Sequence, residues 1–387
     1  MAIPLSYNLR NLVVRKTTTL MTAAGIAMTV AVLLAVLGLV GGLQSAFASS
    51  GDPSRVLVLR KGGNAELTSL LTQQQFQIIK IFPGIKTGAD GQPLASLEVV
   101  TVINLPSTEN PDGVNVTLRG ASLRGVAMRK IGLVSGRMFE TGQREICVGK
   151  STAKLFPNLH LGSQLKFGRG LWTVVGIMDG HGSAVDSEIY ADGPTVAADF
   201  NRPDTYSSAL LQATDEISAN ALINSLLEDR RLNVTPMTEK EYYGNLMSSA
   251  APVQFLGYFV SIVMAVGSCF AAMNTMYAAV ARRSREIGTL RILGFTQGSI
   301  LLSFFLESVV LSLLGGVIAC LIVLPLNSVT TALGSYITFS TTSFNIKIGP
   351  QAMLVGLAFS AILGAVGGLL PARQAARKEI LTALRET

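Results

Sequence analysis

Four long apolar runs divide the chain: Leu20–Gly42, Phe255–Val280, Ile300–Leu326 and Met353–Leu370. Each approaches or exceeds the ~20 residues that a helix needs to cross a bilayer. The first, wound as a helix, would reach roughly 34 Å. The long segment between the first two runs behaves differently. Alternating apolar and polar positions predict strands at Arg55–Arg60, Glu98–Leu105, Val114–Arg119, Leu171–Met178, Glu188–Tyr190, Ser208–Gln212 and Leu232–Thr235. Helical spacing predicts helices at Leu70–Ile81, Ala153–Phe156 and Ile217–Asp229. The fold expected is a membrane protein of four transmembrane α-helices, with a large α+β extracytoplasmic domain inserted between the first and second. That domain is expected in two lobes, with the irregular stretch Gly180–Pro203 near their boundary.

The segmentation that follows places spans at 18–48, 252–281, 297–326 and 352–370. An amphipathic helix is expected at 1–17, with Leu5, Leu9, Leu12 and Val13 on one face, lying in the membrane interface. The extracytoplasmic domain takes 49–251, a basic loop 282–296, an outer Ser/Thr-rich loop 327–351 and a tail 371–387. In the tail, Pro371 stands where a new helix could start. Ala46-Phe47-Ala48 has the form of a signal-peptide cleavage site, but the apolar run before it exceeds a typical h-region, so a retained anchor is expected. Gly38 with Gly42, and Gly364 with Gly368, have the GxxxG spacing that lets helices pack closely in lipid.

Charge then orients this pattern. Hydrophobic residues make up 49% of the 387 and charged ones only 14%, with mean hydropathy +0.45, too apolar for an ordinary soluble protein. The formal charge of +7 collects in three places: Arg10, Arg15 and Lys16; Arg282, Arg283, Arg285 and Arg291 against Glu286; and the tail after Leu370. The remainder nets close to zero, so the basicity is topological and a nucleic-acid surface is not expected. By the positive-inside rule these segments, and both termini, are expected on the cytoplasmic side of the membrane, near lipid headgroups.

Few groups suit chemistry. Gly149-Lys150-Ser151 resembles the end of a phosphate-binding loop, but Arg144 stands where that motif needs glycine. His160 and His181, the only histidines, lack any metal-ligand spacing, and Cys147, Cys269 and Cys320 imply no disulfide framework. No catalytic residue, metal or cofactor is expected in the chain. Glu307 sits inside the third run, where an ionised acid costs ~2.5–3.5 kcal/mol or more. It is either a relay for a proton or substrate, or an acid satisfied by Ser303, a partner helix or a proton. In the basic loop, Ile287, Leu290 and Leu293 recur every three residues, Glu286 can pair with Arg282 or Arg283, and Gly294 can end a helix. The product is a short helix whose apolar edge needs a partner.

At these residues the sequence resembles a known family. SREIGTLRILGFTQGSILLSFFLES is similar to the signature of the MacB/FtsX-like permeases of the type VII ABC-transporter superfamily: a charged turn, a Leu-Arg-x-x-Gly step, then a span with an acid, Glu307, ahead of Gly315-Gly316. PARQAARKEILTALRE resembles the family's closing pattern, and NLRNLVVRKTTTLMTAAGIAM its entry into the first span. Leu133–Phe139, Glu145–Phe156, Leu161-Gly162 and Trp172–Met178 resemble its periplasmic core domain.

The resemblance implies a homodimer or pseudo-dimer with an ABC ATPase subunit, holding ATP and magnesium, on each cytoplasmic face. Arg282, Arg283, Arg285, Glu286, Ile287, Leu290 and Arg291 would then contact that ATPase through a coupling helix at Arg282–Leu293. It also admits a membrane-fusion protein or outer-membrane channel as partner. A membrane-anchored receptor or structural protein with an external binding domain is the alternative, and an intramembrane enzyme built on Glu307 the third.

Overall fold

The computed structural model describes residues 16–106, 113–156, 158–248, 251–335 and 338–377. The expected interfacial helix, apart from its last residues, and the end of the tail fall outside these. The chain forms two compact units. A helical unit takes the chain up to Gly41, Pro252–Ser328 and the chain from Lys347; a sheet unit takes Gly42–Ala251 and Val329–Ile346.

Helix α1 (Lys16–Ala48) begins in the helical unit and ends in the sheet unit. The sheet unit has strands β1 (Arg55–Arg60), β2 (Leu71–Thr72), β3 (Ala95–Leu105), β4 (Val114–Ala121), β5 (Gly132–Gly136), β6 (Glu145–Gly149), β7 (Gln164–Phe167), β8 (Gly170–Asp179), β9 (Ile189–Asp192), β10 (Thr205–Tyr206), β11 (Ser208–Gln212) and β12 (Val234–Thr238). Ten of its strands form one sheet, ordered β12-β1-β11-β3-β4-β9-β6-β8-β5 with β7 also on β8. Pairing is antiparallel except at β4–β9 and β6–β8. The connecting helices are α2 (Gln73–Ile79), α3 (Leu123–Met128), α4 (Lys150–Leu155), α5 (Gly193–Asp199), α6 (Glu216–Glu228) and α7 (Glu239–Ser248). Several start on a side chain that accepts an otherwise orphaned backbone N–H: Thr72 for α2, Asp192 for α5 and Asp215 for α6.

Besides a cluster of Phe139, Cys147, Met178, Val185 and Tyr190, two further apolar cores of described residues lie on this sheet. Val56, Val58, Leu211, Ala219, Leu222 and Leu226 pack where α2 and α6 back β1 and β11. Val99, Leu118, Ile146, Trp172, Val174 and Ile189 pack farther along. The change from one core to the other runs along a single strand. Ala95–Glu98 of β3 pairs with β11, and Val99–Leu105 pairs with β4. Gly180–Pro203, expected to be irregular, is instead largely built of regular elements. It contains a 3-10 turn at Ala184–Ser187, the fully buried central strand β9, and α5, whose Asp192-Gly-Pro start is a strong helix signal. Leu70–Ile81 is likewise not one helix: Leu71 and Thr72 pair with β10, and Thr72 caps the helix that follows.

The helical unit contains α8 (Ala251–Arg282), α9 (Ser284–Ile292), α10 (Gln297–Val323) and α11 (Pro350–Arg377). Among the described residues, α1, α8, α10 with its 3-10 extension, and α11 are long and apolar enough to cross a membrane. Pro371 starts no new helix. It lies inside α11, buried, and Ala372 and Ala375 beyond it pack against Met276, Ile300 and Phe304. That packing, with Gly367 and Gly368 in the turn before, lets the helix continue past a residue that supplies no backbone N–H. The outer loop is also more ordered than its Ser/Thr content suggests. It forms the hairpin β13 (Thr330–Gly334) and β14 (Thr341–Asn345), bonded to Asn115 of β4 through Phe339 O and Thr341 Oγ1.

Candidate functional site at the basic turn

The long helix α8 stops at Arg282, and Arg283 breaks the helical path at φ −101°, ψ 14° before α9 begins. The far end of α9 closes on glycine. Gly294 has φ +93°, its N–H reaches Arg291 O at 3.2 Å, and Phe295 N–H reaches Leu290 O at 3.1 Å. This double closure satisfies the last carbonyls and needs a residue at ease in the left-handed region. Thr296 then caps α10. The expected single helix Arg282–Leu293 is thus two pieces joined at Arg283.

The basic turn has an inner and an outer face. Arg283 is 2% exposed and points inward, where Nη1 donates to Glu307 Oε2 of α10 at 2.7 Å. Its guanidinium carbon lies 5.6 Å from the Phe304 ring centroid, and Glu286 Oε2 stands 3.8 Å from Nε. Ile287 is also buried, packed with Met276, Val280, Ile300, Phe304, Ala372 and Ala375. Arg283 and Ile287, both expected at the partner contact, are buried within the unit itself, the first against Glu307 and the second among the residues of α8, α10 and α11. The expected apolar edge is displaced accordingly. Ile292 and Leu293, 60% and 64% exposed, form it beside exposed Arg282, Arg285 and Glu286, with Leu290 and Arg291 half-buried. A helical period that alternates between faces explains the shift, because the pattern alone cannot tell which stripe the spans will cover.

Glu307 is answered by the same geometry. The carboxylate, 7% exposed, faces the Arg283 guanidinium. The next residue, Ser308, donates to Gly364 O at 2.7 Å. A Cβ at Gly364 would come 2.7 Å from Ser312 Cβ, and one at Gly368 would overlap the Ser308 hydroxyl. These two glycines hold α10 against α11. Gly38 and Gly42 do otherwise: Gly38 O accepts from Lys347 N–H at 3.1 Å, and Gly42 leaves room for the Phe344 ring and the Asn345 backbone. Gly42 thus serves an incoming chain segment, because the Phe344 ring and the Asn345 carbonyl come too close to leave room for a Cβ.

The sheet unit holds a second charged cluster that sequence patterning did not reveal. Arg119 of β4 sits within 2.8 Å of Glu66, Glu98 and Glu188. Arg129 reaches Glu98 at 2.6 Å and Glu239 at 3.3 Å, and Arg55 reaches Glu239 at 2.5 Å. All seven are buried or nearly so. Burial alone would raise the Glu66 carboxyl, but the Arg119 guanidinium, the Ser208 hydroxyl and Arg129 together outweigh it and hold the group below its ordinary range. The available signal was a charged residue inside an apolar strand pattern, as in Val-Thr-Leu-Arg119 of β4 and Ser-Leu-Glu98-Val of β3. The loop-like Gly149-Lys150-Ser151 is also accounted for: Lys150 Nζ pairs with Asp179 and Asp186. His181 stands 3.6 Å from Asp179, and His160 lies on an exposed loop.

Residues 19–228 match the MacB-like periplasmic core domain model, and residues 258–380 match the FtsX-like permease C-terminal model. The chain is 27% identical over 348 residues to the uncharacterized ABC transporter permease YknZ of Bacillus subtilis, covering 84% of this chain and 82% of that protein. It is 25% identical over 391 residues to the macrolide export ATP-binding/permease protein MacB of Rhodopseudomonas palustris, covering 91% and 57%. To the MacB of Bradyrhizobium diazoefficiens it is 25% identical, covering 70% and 43%. The chain spans about half the length of these MacB relatives. Among solved structures, the periplasmic region of MacB from Actinobacillus actinomycetemcomitans aligns with TM-score 0.38 and 13% identity, over 50% of this chain and 92% of that one. With one model over the first helix and sheet unit and the other over the remaining helices, the chain belongs to the MacB/FtsX-like ABC-transporter permeases, as a membrane-spanning subunit carrying a MacB-like periplasmic core domain between its first and second apolar helices.

Proposed function

We propose that this chain is the permease subunit of an ATP-driven transporter, moving its periplasmic domain in response to ATP hydrolysis by a separate ABC ATPase, for export or extrusion of a substrate. The observation that carries the reading is the outer face of α9. Ile292 and Leu293 stand exposed beside Arg282, Arg285 and Glu286, on a helix held by a buried ion pair and closed by glycine. An apolar spot ringed by charge suits a protein partner, and the arginines favour the cytoplasmic side, where ATP is available. Both termini lie on that side and the sheet unit on the other, in a bacterial inner membrane. ATP and magnesium belong to the partner; the chain itself does no catalysis.

A second copy of the chain completes the proposal. Phe255, Phe259, Ile262, Val266 and Phe270 of α8 are exposed, offering a long apolar face to lipid or to a twin α8. The test is purification of the full chain from gentle detergent. An ATP-hydrolysing protein is expected to co-elute, and Arg285→Glu with Ile292→Asp is expected to release it. Co-elution that survives this double variant would refute the docking face.

A further inference from the structure

We propose that Glu307 is a positioning residue. Through its ion pair with Arg283 it locks α9 to α10 and α11, so that a push on the exposed face of α9 moves those helices together. The proposal rests on the reading of that face as the docking site for an ATPase, and it concerns what happens to the force afterwards.

The need for a lock follows from the break at Arg283. A non-helical residue between a long helix and a short one is a ready hinge, and a hinge would absorb the push as bending. Three contacts fill it. Arg283 donates to Glu307 at 2.7 Å, the Phe304 ring lies against the guanidinium, and Ile287 enters the cluster of Met276, Val280, Ile300 and Ala375. Glu307 is followed at once by Ser308, whose hydroxyl bonds Gly364 O, and Gly364 and Gly368 admit the serines of α10. The path from exposed face to helix pair is therefore short: Arg283, Glu307, Ser308, Gly364.

Stability does not require the ion pair. An apolar pair of similar size is often as stable as a buried salt bridge, or more so, whereas one direction of approach is what two fixed charges impose.

The test uses the full chain in lipid nanodiscs. Cys147, Cys269 and Cys320 are replaced by alanine, and Ser284, 4% exposed at the start of α9, is replaced by cysteine as a reporter of whether α9 is seated. Maleimide labelling of Ser284→Cys is expected to be slow in the parent and about tenfold faster in Glu307→Gln, roughly the effect of a 1.4 kcal/mol shift in the seating equilibrium. The swap Arg283→Glu with Glu307→Arg is expected to restore slow labelling. The apolar double variant Arg283→Met with Glu307→Leu separates positioning from bulk stability: its thermal midpoint is expected to stay near the parent's while labelling stays fast. Slow labelling in Glu307→Gln, or in the apolar double variant, would overturn the proposal. Arg285→Glu is the control for the docking reading, expected to release the ATPase with labelling unchanged. If no ATPase co-elutes with the parent but Glu307→Gln still exposes the reporter, the docking reading fails and the seating of α9 by Glu307 stands.

Discussion

Arg119 shows how much one buried side chain can hold. Its guanidinium serves Glu66, Glu98 and Glu188 at once, and Ser208 Oγ completes Glu66 with a 2.6 Å hydrogen bond. Arg119→Met would leave these carboxylates short of a cation in a dry core, an expected loss of ~3–5 kcal/mol that thermal unfolding of the full chain would register. The same cluster sets a pH response. Because the folded Glu66 carboxyl lies below its unfolded value, its contribution is complete above the ordinary glutamate range and is lost as pH falls through the folded value. The midpoint is therefore expected to fall below about pH 4.5 in the parent, and less steeply in Glu66→Gln. At Gly364 the constraint is space alone. Gly364→Leu would drive a side chain into Ser312, an expected loss of ~1–3 kcal/mol read by the same measurement. None of these residues is singular in the sequence. GxxxG spacing marks Gly364 and Gly38 alike, and only the neighbour brought opposite decides which of them joins two helices.

At the scale of elements, α9 is the most informative. Its end was legible because a glycine after a helical run is the usual solution to orphaned carbonyls, and Gly294 at φ +93° uses that freedom. Gly294→Val is expected to cost about 1–2 kcal/mol, with a branched side chain in the left-handed region, and to loosen the start of α10. Hydrogen exchange over Leu290–Ser299 would report the loosening. The inner face of α9 was not legible. Arg283 and Ile287 are separated by the same four-residue step that marks an amphipathic stripe, yet one is a cation and the other apolar, so no hydrophobic pattern groups them. Their common burial arises because α10 offers each its own partner, Glu307 to the arginine and Ile300 to the isoleucine. Similarly, β5 and the β13–β14 hairpin escaped the pattern because Gly-Leu-Val-Ser-Gly and Thr-Thr-Ala-Leu-Gly are short, small-residue runs whose strand character comes from the strand beside them.

For the whole molecule, the division into a helical unit and a sheet unit follows the hydropathy profile closely, since about 20 consecutive apolar residues have few stable homes outside a bilayer. Sidedness is the matching prediction. In intact cells, a cysteine at exposed Lys61 of the sheet unit should react with a membrane-impermeant maleimide, and one at Thr289 of α9 should react only after the membrane is opened. The reverse pattern would remove the orientation on which the proposed coupling depends.

The sequence by itself determined the four apolar helices, the α+β insertion after the first, the basic turn and the family to which these belong. Each is a local property, carried by run length, strand period or a contiguous motif. Tertiary structure alone decided that Arg283 faces Glu307, that Arg119 gathers three distant glutamates, and that the two GxxxG pairs serve different neighbours. Those are relations between residues far apart in the chain, and a charge or a glycine has no preferred partner until folding has removed water from around it.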